Sequence, residues 1–364
     1  MYSVICRPRT AKILYVGYRI KEAYLVRCSG TRRALEHRSH FYTELWRDAA
    51  SQLGASIEVL GNEILEIRLG QKCTRVRQNT TALEREITVA LAKSKPLVHR
   101  LLARKGLRIP VYCEFTLNEI AKAVSFVDSA ASKCVVKPAN GGGGRGVTTG
   151  ITGSFDLIRA VASAAVYGSD LMVEQQVQGD VYRLLYFEGT LMDAVLRKPS
   201  TVVADGKSTV RELIRLENEA RLKAGPNLAH ALIVTDMDVR STLSNQGLRL
   251  SSVPKEGSSV ALKAVINDNS QHDNVAAKHL LCKSIIEDGA AAAAAVGVRL
   301  AGIDVITPDP NVPLAESGGV ILEVNTAPSY HHHYYKRDGS YPVAVHLLPF
   351  LLANGVAEQH TTAA

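Results

Sequence analysis

The chain of 364 residues, 46% hydrophobic and 21% charged, is long enough for two or three domains around a substantial core and has the composition of an ordinary soluble protein. Its longest run of small apolar residues, Gly289 to Val298, is too short to span a bilayer, and Arg7, Arg9 and Lys12 interrupt the N-terminus, so neither a membrane partner nor a signal peptide is expected. The net charge of +8 is uneven, with 21 Lys/Arg against 9 Asp/Glu in residues 1–110 and 22 against 26 in the rest; the basic residues are dispersed and lack interleaved aromatics, which favours a solvated surface or an anionic substrate over nucleic acid.

In chain order, Lys12 to Tyr18 and Ala23 to Arg27 are expected as strands, followed by a helix over His40 to Leu53 and two strands, Ala55 to Leu60 and Ile64 to Leu69. These form a small basic α/β lobe over residues 1–92. Helical spacing returns at Ala82 to Ala92 and at Leu97 to Lys105, where Pro96 starts the helix and Gly106 stops it. A strand after Pro110 and a helix from Leu117 to Val127 lead to a β-type run ending on Lys137 and Pro138. A second β-type run, Val147 to Ile151, a helix from Phe155 to Tyr167 and a strand from Leu171 to Val177 follow. Residues 93–170 thus form a central lobe. In the last lobe, 171–355, Val181 to Phe187 and Thr190 to Lys198 read as a hairpin turned at Glu188-Gly189, Thr209 to Lys223 and Ala277 to Val296 as helices, and Ala301 to Ile306 and Gly319 to Val324 as closing strands. Residues 356–364 are a tail, and the chain shows no internal repeat.

The chemistry concentrates in three places. Asn140, Gly141, Gly142, Gly143, Gly144, Arg145 and Gly146 put five glycines into seven residues between two strands. Without Cβ atoms, successive N–H groups can turn toward phosphate oxygens, and Lys137 adds a positive charge beside them. Such a loop also occurs as a plain hairpin connection, and this one lacks the Gly-Lys-Ser/Thr ending of a P-loop. On the closing strands, Glu323 and Asn325 project to one side, and Asp304 joins them if its strand is the neighbour. Oxygen ligands of this kind suit Mg²⁺ bridging nucleotide phosphates, and Asp304 lies in an apolar run where an unpaired carboxylate is costly. Third, Glu174, Gln175, Gln176 and Val177 end a strand before a bend, where backbone groups can receive an adenine edge and Asp180 a ribose hydroxyl. The six cysteines, Cys6, Cys28, Cys73, Cys113, Cys134 and Cys282, have no close pairs, which suits a reducing, cytoplasmic location and offers no zinc site. No Gly-x-Ser-x-Gly or other triad signature is present.

Taken together, Lys95, then Val135-Val136-Lys137-Pro138 with the Gly loop, then Glu174-Gln-Gln-Val177 with Asp180-Val-Tyr-Arg183, then Gly302-Ile-Asp304, then Glu323-Val-Asn325-Thr-Ala-Pro328 resemble the ATP-grasp superfamily. Asp205-Gly206-Lys207-Ser-Thr-Val-Arg-Glu-Leu-Ile214, Gln246-Gly247 and Ser252-Val-Pro254 make the chain most similar to the ATP-grasp part of cyanophycin synthetases, over roughly residues 80–350. The resemblance implies an ATP-grasp fold of mixed α+β and α/β class, two α+β lobes clasping Mg-ATP behind the N-terminal lobe. It implies that Lys95, Lys137 and the loop from Asn140 to Gly146 hold phosphates and that Glu174 to Val177 and Asp180 hold the nucleoside. It further implies that Asp304, Glu323 and Asn325 bind Mg²⁺, while Arg183 and Arg197 face the transferred phosphoryl group. The implied reaction is ATP-dependent amide formation through an acyl phosphate, in an assembly compatible with a homo-oligomer.

The sequence departs from that pattern where the acceptor substrate is expected. Asn269 and Ser270 fall in a changed segment, and Ser329, Tyr330 and His331 follow Pro328 where a glycine is expected; with Lys207, these are the candidate substrate contacts. A chain ending at Ala364 leaves no room for a further ligase domain like that of the Mur ligases, so a stand-alone ligase joining small amino acids or peptides is expected rather than a cyanophycin producer. Side chains of His331, His332 and His333 point different ways in any regular backbone, so at most two can meet one ion, and a pocket-lining or packing role is favoured over metal binding. His230 and His272 are read as ordinary pocket or surface residues. An ATP-grasp phosphotransferase acting on a hydroxyl and a non-catalytic nucleotide-binding protein remain the alternatives.

Overall fold

A computed structural model of the chain describes residues 8–28, 31–224, 232–264 and 273–357 and gathers their apolar side chains into four clusters. It opens on helix α1 (Pro8–Cys28), which overturns the two strands expected there. Ala11 is buried and Leu14 and Tyr15 pack beside it, while Ile13, Val16 and Ile20 point outward. Because both faces are apolar, the run Ile13 to Val16 has no visible helical period and resembles a buried strand. Helix α2 (Thr31–Gln52) follows, with Phe41, Tyr42, Leu45, Trp46 and Ala49 buried along one face. An antiparallel meander of β1 (Ser56–Gly61), β2 (Ile64–Leu69) and β3 (Lys72–Arg77) packs on it. The strand β3 was not expected, because Arg and Lys alternate with small or apolar residues through a short, polar run.

Helices α3 (Glu86–Lys93) and α4 (Lys95–Arg104) come next, with Pro96 in the first turn of α4 and Gly106 left-handed just beyond its end. The central lobe is β4 (Tyr112–Thr116), α5 (Ile120–Ser129), β5 (Cys134–Pro138), β6 (Thr148–Ile151), α6 (Ser154–Ala164) and β7 (Asp170–Gln175). Its antiparallel sheet has the order β4-β7-β5-β6, and the Gly loop is the β5–β6 connection, as the sequence predicts. The helix α1 packs against α6 of this lobe and not against the N-terminal lobe.

The third lobe is built on an antiparallel sheet, β12-β9-β8-β13-β14. Its hairpin of β8 (Asp180–Phe187) and β9 (Thr190–Arg197) turns at Glu188 and Gly189, both left-handed, as the twist of a two-residue hairpin demands. A small satellite of β10 (Thr201–Val203), α7 (Val210–Lys223), α8 (Met237–Asn245) and β11 (Ser259–Ala261) has its own apolar cluster. Strand β12 (Asn274–Ala276) then pairs with β9, so helix α9 begins at Lys283 and runs to Val296 instead of starting at Ala277. The ladder bonds that claim these residues come from a strand some 80 positions earlier, which local helical spacing cannot register. Strand β13 (Leu300–Thr307), the one-turn α10 (Leu314–Ser317) and β14 (Val320–Asn325) complete the sheet. After α11 (His331–Tyr334), α12 (Val343–Ala353) and β15 (Val356–Ala357) return to the first lobe, where β15 pairs with β3 and α12 packs on α2. That lobe, expected over 1–92, is therefore drawn from both ends of the chain.

Gly289 marks a close contact between α9 and the sheet. A Cβ there would overlap the Tyr186 ring, with Cζ at 2.7 Å, and the Tyr186 hydroxyl is held by donation to the Ile286 carbonyl at 2.8 Å. Alanine would gain helix propensity of about 0.5–1 kcal/mol, but overpacking costs about 1–3 kcal/mol. Gly289→Ala is expected to lower the thermal midpoint; a raised midpoint would show that the ring yields freely.

Candidate active site

The Gly loop is anchored at its root to the start of α4. The Lys95 N–H donates to the Ala139 carbonyl (3.0 Å), the Gly141 N–H donates to the Lys93 carbonyl (3.3 Å), and Lys95 Nζ donates to the Gly141 carbonyl (2.6 Å). The same Nζ lies 3.4 Å from Glu323 Oε1, so Lys95 ties the loop to β14. Gly143 and Gly144 at the tip are left-handed, a backbone that a side chain would strain. A Cβ on Gly146 would come within 2.6 Å of the Tyr167 ring, which seats the far end of the loop on the stretch after α6.

One cavity of about 590 Å³ runs between the central and third lobes, within the size range of small-ligand sites. Of the predicted nucleotide residues, Lys137, Gly143, Gly144, Glu174, Gln175, Gln176, Val177 and Asp180 line it. Lys95, Asn140, Gly141, Gly142 and Gly146 do not; they form the root and far end of the loop. Lys137 and Glu174 face each other from adjacent strands, with Nζ 2.8 and 2.7 Å from the two carboxylate oxygens, and both are buried. Sequence spacing assigned the first to phosphate and the second to adenine; the register of β5 on β7 makes them an ion pair.

On the sheet of the third lobe, Arg183 of β8 lies directly across from Asp304 of β13. Arg183 Nε and Nη2 donate to Oδ1 and Oδ2 at 2.5 and 2.8 Å, a bidentate pair with both partners more than nine-tenths buried. Burial alone would raise the Asp304 carboxyl, but the Arg183 guanidinium overrides it and holds it below the usual carboxylate range. Gly302 makes room for this, since a Cβ there would sit 3.2 Å from Arg183 Nη1 and 2.8 Å from the Pro328 Cβ. Glu323 is paired in register with Asp304, and Asn325 Nδ2 donates to the Gly302 carbonyl (3.2 Å) and to Asp304 Oδ2 (3.4 Å). Two carboxylates and an amide thus converge on the cavity wall. Among the described residues no three His, Cys, Asp or Glu side chains form a metal cluster. A cation that keeps waters and phosphate oxygens needs fewer protein ligands, so this oxygen set fits Mg²⁺.

Arg197, Ser329 and His331 line the far end of the cavity. Tyr330 does not: it is fully buried in the apolar cluster of the first lobe, its N–H donating to the Tyr42 hydroxyl at 3.2 Å. Its aromatic bulk favours that core over a substrate contact. Lys207 lies outside the cavity, in a turn where its N–H donates to Asp205 Oδ1 at 2.9 Å. Asn269, Ser270, His230 and His272 lie outside the described residues.

Several residues of the site carried no sequence signal. Arg38 of α2 reaches the cavity, donating to Asn79 Oδ1 at 3.4 Å and lying over the Tyr42 ring. Asn79 in turn donates to the carbonyls of Ala327 and Pro328, which holds the turn after β14 against the first lobe. His99, one turn after Lys95 in α4, has Nε2 at 3.2 Å from the Leu322 carbonyl, next to Glu323. Burial, reinforced by the Lys137 charge, depresses its pKa to about 4, so at neutral pH the ring is an uncharged donor.

No family model matches the chain. It is 28% identical over 326 residues to cyanophycin synthetase of Trichormus variabilis, covering 81% of this chain and 34% of that protein. It is 27% identical over 305 residues to the glutathione biosynthesis bifunctional protein GshAB of Enterococcus faecalis, covering 82% and 40%. The chain therefore spans between a third and two-fifths of the length of these relatives. A bifunctional glutathione synthetase from Pasteurella multocida superposes with a TM-score of 0.53 at 24% identity, over 82% of this chain and 41% of that one.

Asp304→Asn leaves Arg183 buried against a neutral amide, which costs about 3–5 kcal/mol when one partner of such a pair is removed. Because the native pKa of Asp304 is depressed, its contribution is complete above its unfolded value of about 3.9 and is lost as pH falls through the native value. Urea unfolding from neutral to strongly acidic buffer is expected to show a large wild-type advantage that closes on acidification. An advantage independent of pH would show that the charge of Asp304 does not stabilise the fold.

Proposed function

From a chain that has the ATP-grasp fold and is homologous to the ATP-grasp part of cyanophycin synthetase and of GshAB, we propose an ATP-dependent carboxylate–amine ligase that joins small amino acids or peptides. The observation that carries this is the cavity onto which Lys137, Gly143, Gly144, Arg183, Asp304, Glu323 and Asn325 converge from two lobes. A carboxylate cannot expel oxide, so its oxygen first takes the γ-phosphoryl group of ATP and ADP leaves. The amine nitrogen then forms a bond to the acyl carbon, and the carbon–oxygen bond to phosphate breaks. Such a transfer asks the protein for alignment and positive charge more than for covalent chemistry.

Each residue has a place in that scheme. The loop from Asn140 to Gly146 covers the phosphates, and its anchoring through Lys95 couples it to β14. Glu174 to Val177, at the end of β7, receive the adenine, and Asp180 at the start of β8 the ribose. Asp304, Glu323 and Asn325 would hold Mg²⁺, which when bound neutralises phosphate charge. Arg183, held rigid by Asp304, and Arg197 on β9 face the transferred group. Arg38, an arginine with no ion pair among the described residues, is suited to a substrate carboxylate at the far end.

The protein incubated with Mg-ATP, hydroxylamine and pools of amino acids and short peptides is expected to release ADP and form an acyl hydroxamate, read by mass spectrometry. ADP with a phosphorylated hydroxyl compound and no hydroxamate would establish a phosphotransferase instead; bound ATP with no turnover would support a non-catalytic protein. Glu323→Gln is expected to leave the melting temperature within a few degrees and lower hydroxamate formation at least a hundredfold. Full activity in that variant would remove Glu323 from the metal site.

A further inference from the structure

On the cavity wall, Lys137 and Arg183 each have a carboxylate of the chain as partner, Glu174 for the first and Asp304 for the second. Arg38, on the same wall, has none among the described residues. It is half-buried and lines the cavity, so a ligand can reach it. Its position is nonetheless fixed. Nη2 donates to Asn79 Oδ1 at 3.4 Å, and the guanidinium carbon lies 5.8 Å from the centroid of the Tyr42 ring. Asn79 Nδ2 donates in turn to the Ala327 and Pro328 carbonyls, and the Tyr42 hydroxyl accepts the Tyr330 N–H at 3.2 Å. Both contacts of Arg38 therefore lead to the turn from Ala327 to Tyr330, whose Ser329 lines the same cavity. Ala327 is left-handed in that turn, with φ of 46°, a conformation that a residue with a Cβ keeps only where its surroundings enforce it. A neutral amide and an aromatic face hold the guanidinium in place and leave its charge unmatched.

Resting on the ligase assignment above, we propose that Arg38 binds a second carboxylate, one that the reaction does not activate. The enzyme thereby selects amino acids or peptides that enter with that carboxylate free. The chemistry rules out the activated carboxylate as its partner. That group has to meet the γ-phosphoryl group beside Asp304, Glu323 and Asn325, and as an acyl phosphate its carboxyl oxygen no longer carries the charge that a guanidinium pairs with. Place rules out the nucleotide, because Lys137 and the loop glycines belong to the central lobe and Arg38 to the first. The planar guanidinium fork takes a carboxylate through parallel bonds, and a site built for such bonds rejects an analogue that lacks the group. Such a carboxylate comes either from the amine component, as its α-carboxylate, or from a dicarboxylic acyl component.

Two competitions with Mg-ATP, read by mass spectrometry, test this. In the first, a pool of amino acids supplies the acyl component, while the same amino acids and their carboxamides compete as the amine component; the product's terminus records which was taken. In the second, hydroxylamine replaces the amine, and hydroxamates of aspartate and glutamate are compared with those of asparagine and glutamine. The wild type is expected to prefer the free carboxylate roughly tenfold or more in one of the two, and Arg38→Gln to reduce that preference by a similar factor. Arg38→Lys, which keeps the charge without the fork, is expected to fall between them. A preference in the first competition puts the carboxylate on the amine component, and one in the second puts it on the acyl component. A wild type that forms amide and hydroxamate without preference overturns the proposal and leaves the ligase assignment standing; that comparison needs no variant to fold. An Arg38→Gln protein that keeps the wild-type preference also overturns it. So does one that slows equally on both kinds of substrate, which would make Arg38 a structural support. If the wild type forms neither product, the ligase assignment itself falls and this one with it.

Discussion

The Arg183–Asp304 pair sets the geometry around it. It links β8, the middle strand of the large sheet, to its neighbour β13, on the wall of the cavity. Neither charge is tolerable there alone, so each must be aimed at the other with bidentate geometry, and that requirement fixes the register of the two strands. Gly302 is the concession that lets the guanidinium lie flat, and Pro328 closes over it. Asn325 adds a further donor to Asp304, and Glu323 stands across from it, so the pair also organises the wall on which a nucleotide's metal would rest.

The cavity has two unlike ends. Toward the central lobe, the Lys137–Glu174 pair and the Gly loop form a wall whose charges are largely compensated internally. Toward the first lobe, Arg38, Arg197, His331 and His332 face the cavity, and positive or neutral groups dominate. A nucleotide with its own counter-ion suits the first end, and a substrate with a carboxylate suits the second. The first lobe is more than an appendage here, because Asn79 and Tyr42 hold the turn after β14 that carries Ser329 and the histidines.

Much of the site was legible because its constraints are local. Five glycines between two strands, a lysine before them, and a carboxylate two residues from an amide on one strand can be recognised without the tertiary setting. The strands at Lys12 to Tyr18 and Ala23 to Arg27 failed for the opposite reason: an outward face of Ile13, Val16 and Ile20 hides the period of the helix that is there. Tyr330 was placed in the substrate site by its position in the chain, yet its ring is better accommodated against Tyr42 and Trp46.

From the sequence by itself came the order of the lobes, the glycine loop between two strands, the family resemblance and the oxygen-bearing side chains gathered on the closing strands. These follow from spacing along one strand or one turn, where covalent geometry already decides which side chains share a face. Tertiary structure alone decided that Lys137 pairs with Glu174, that Arg183 answers Asp304, that Arg38 enters the cavity and that both ends of the chain build the first lobe. Each of these depends on strand register or helix docking between segments from 37 to almost 300 residues apart, and the energy of a buried charge is settled only when its partner from the other segment arrives.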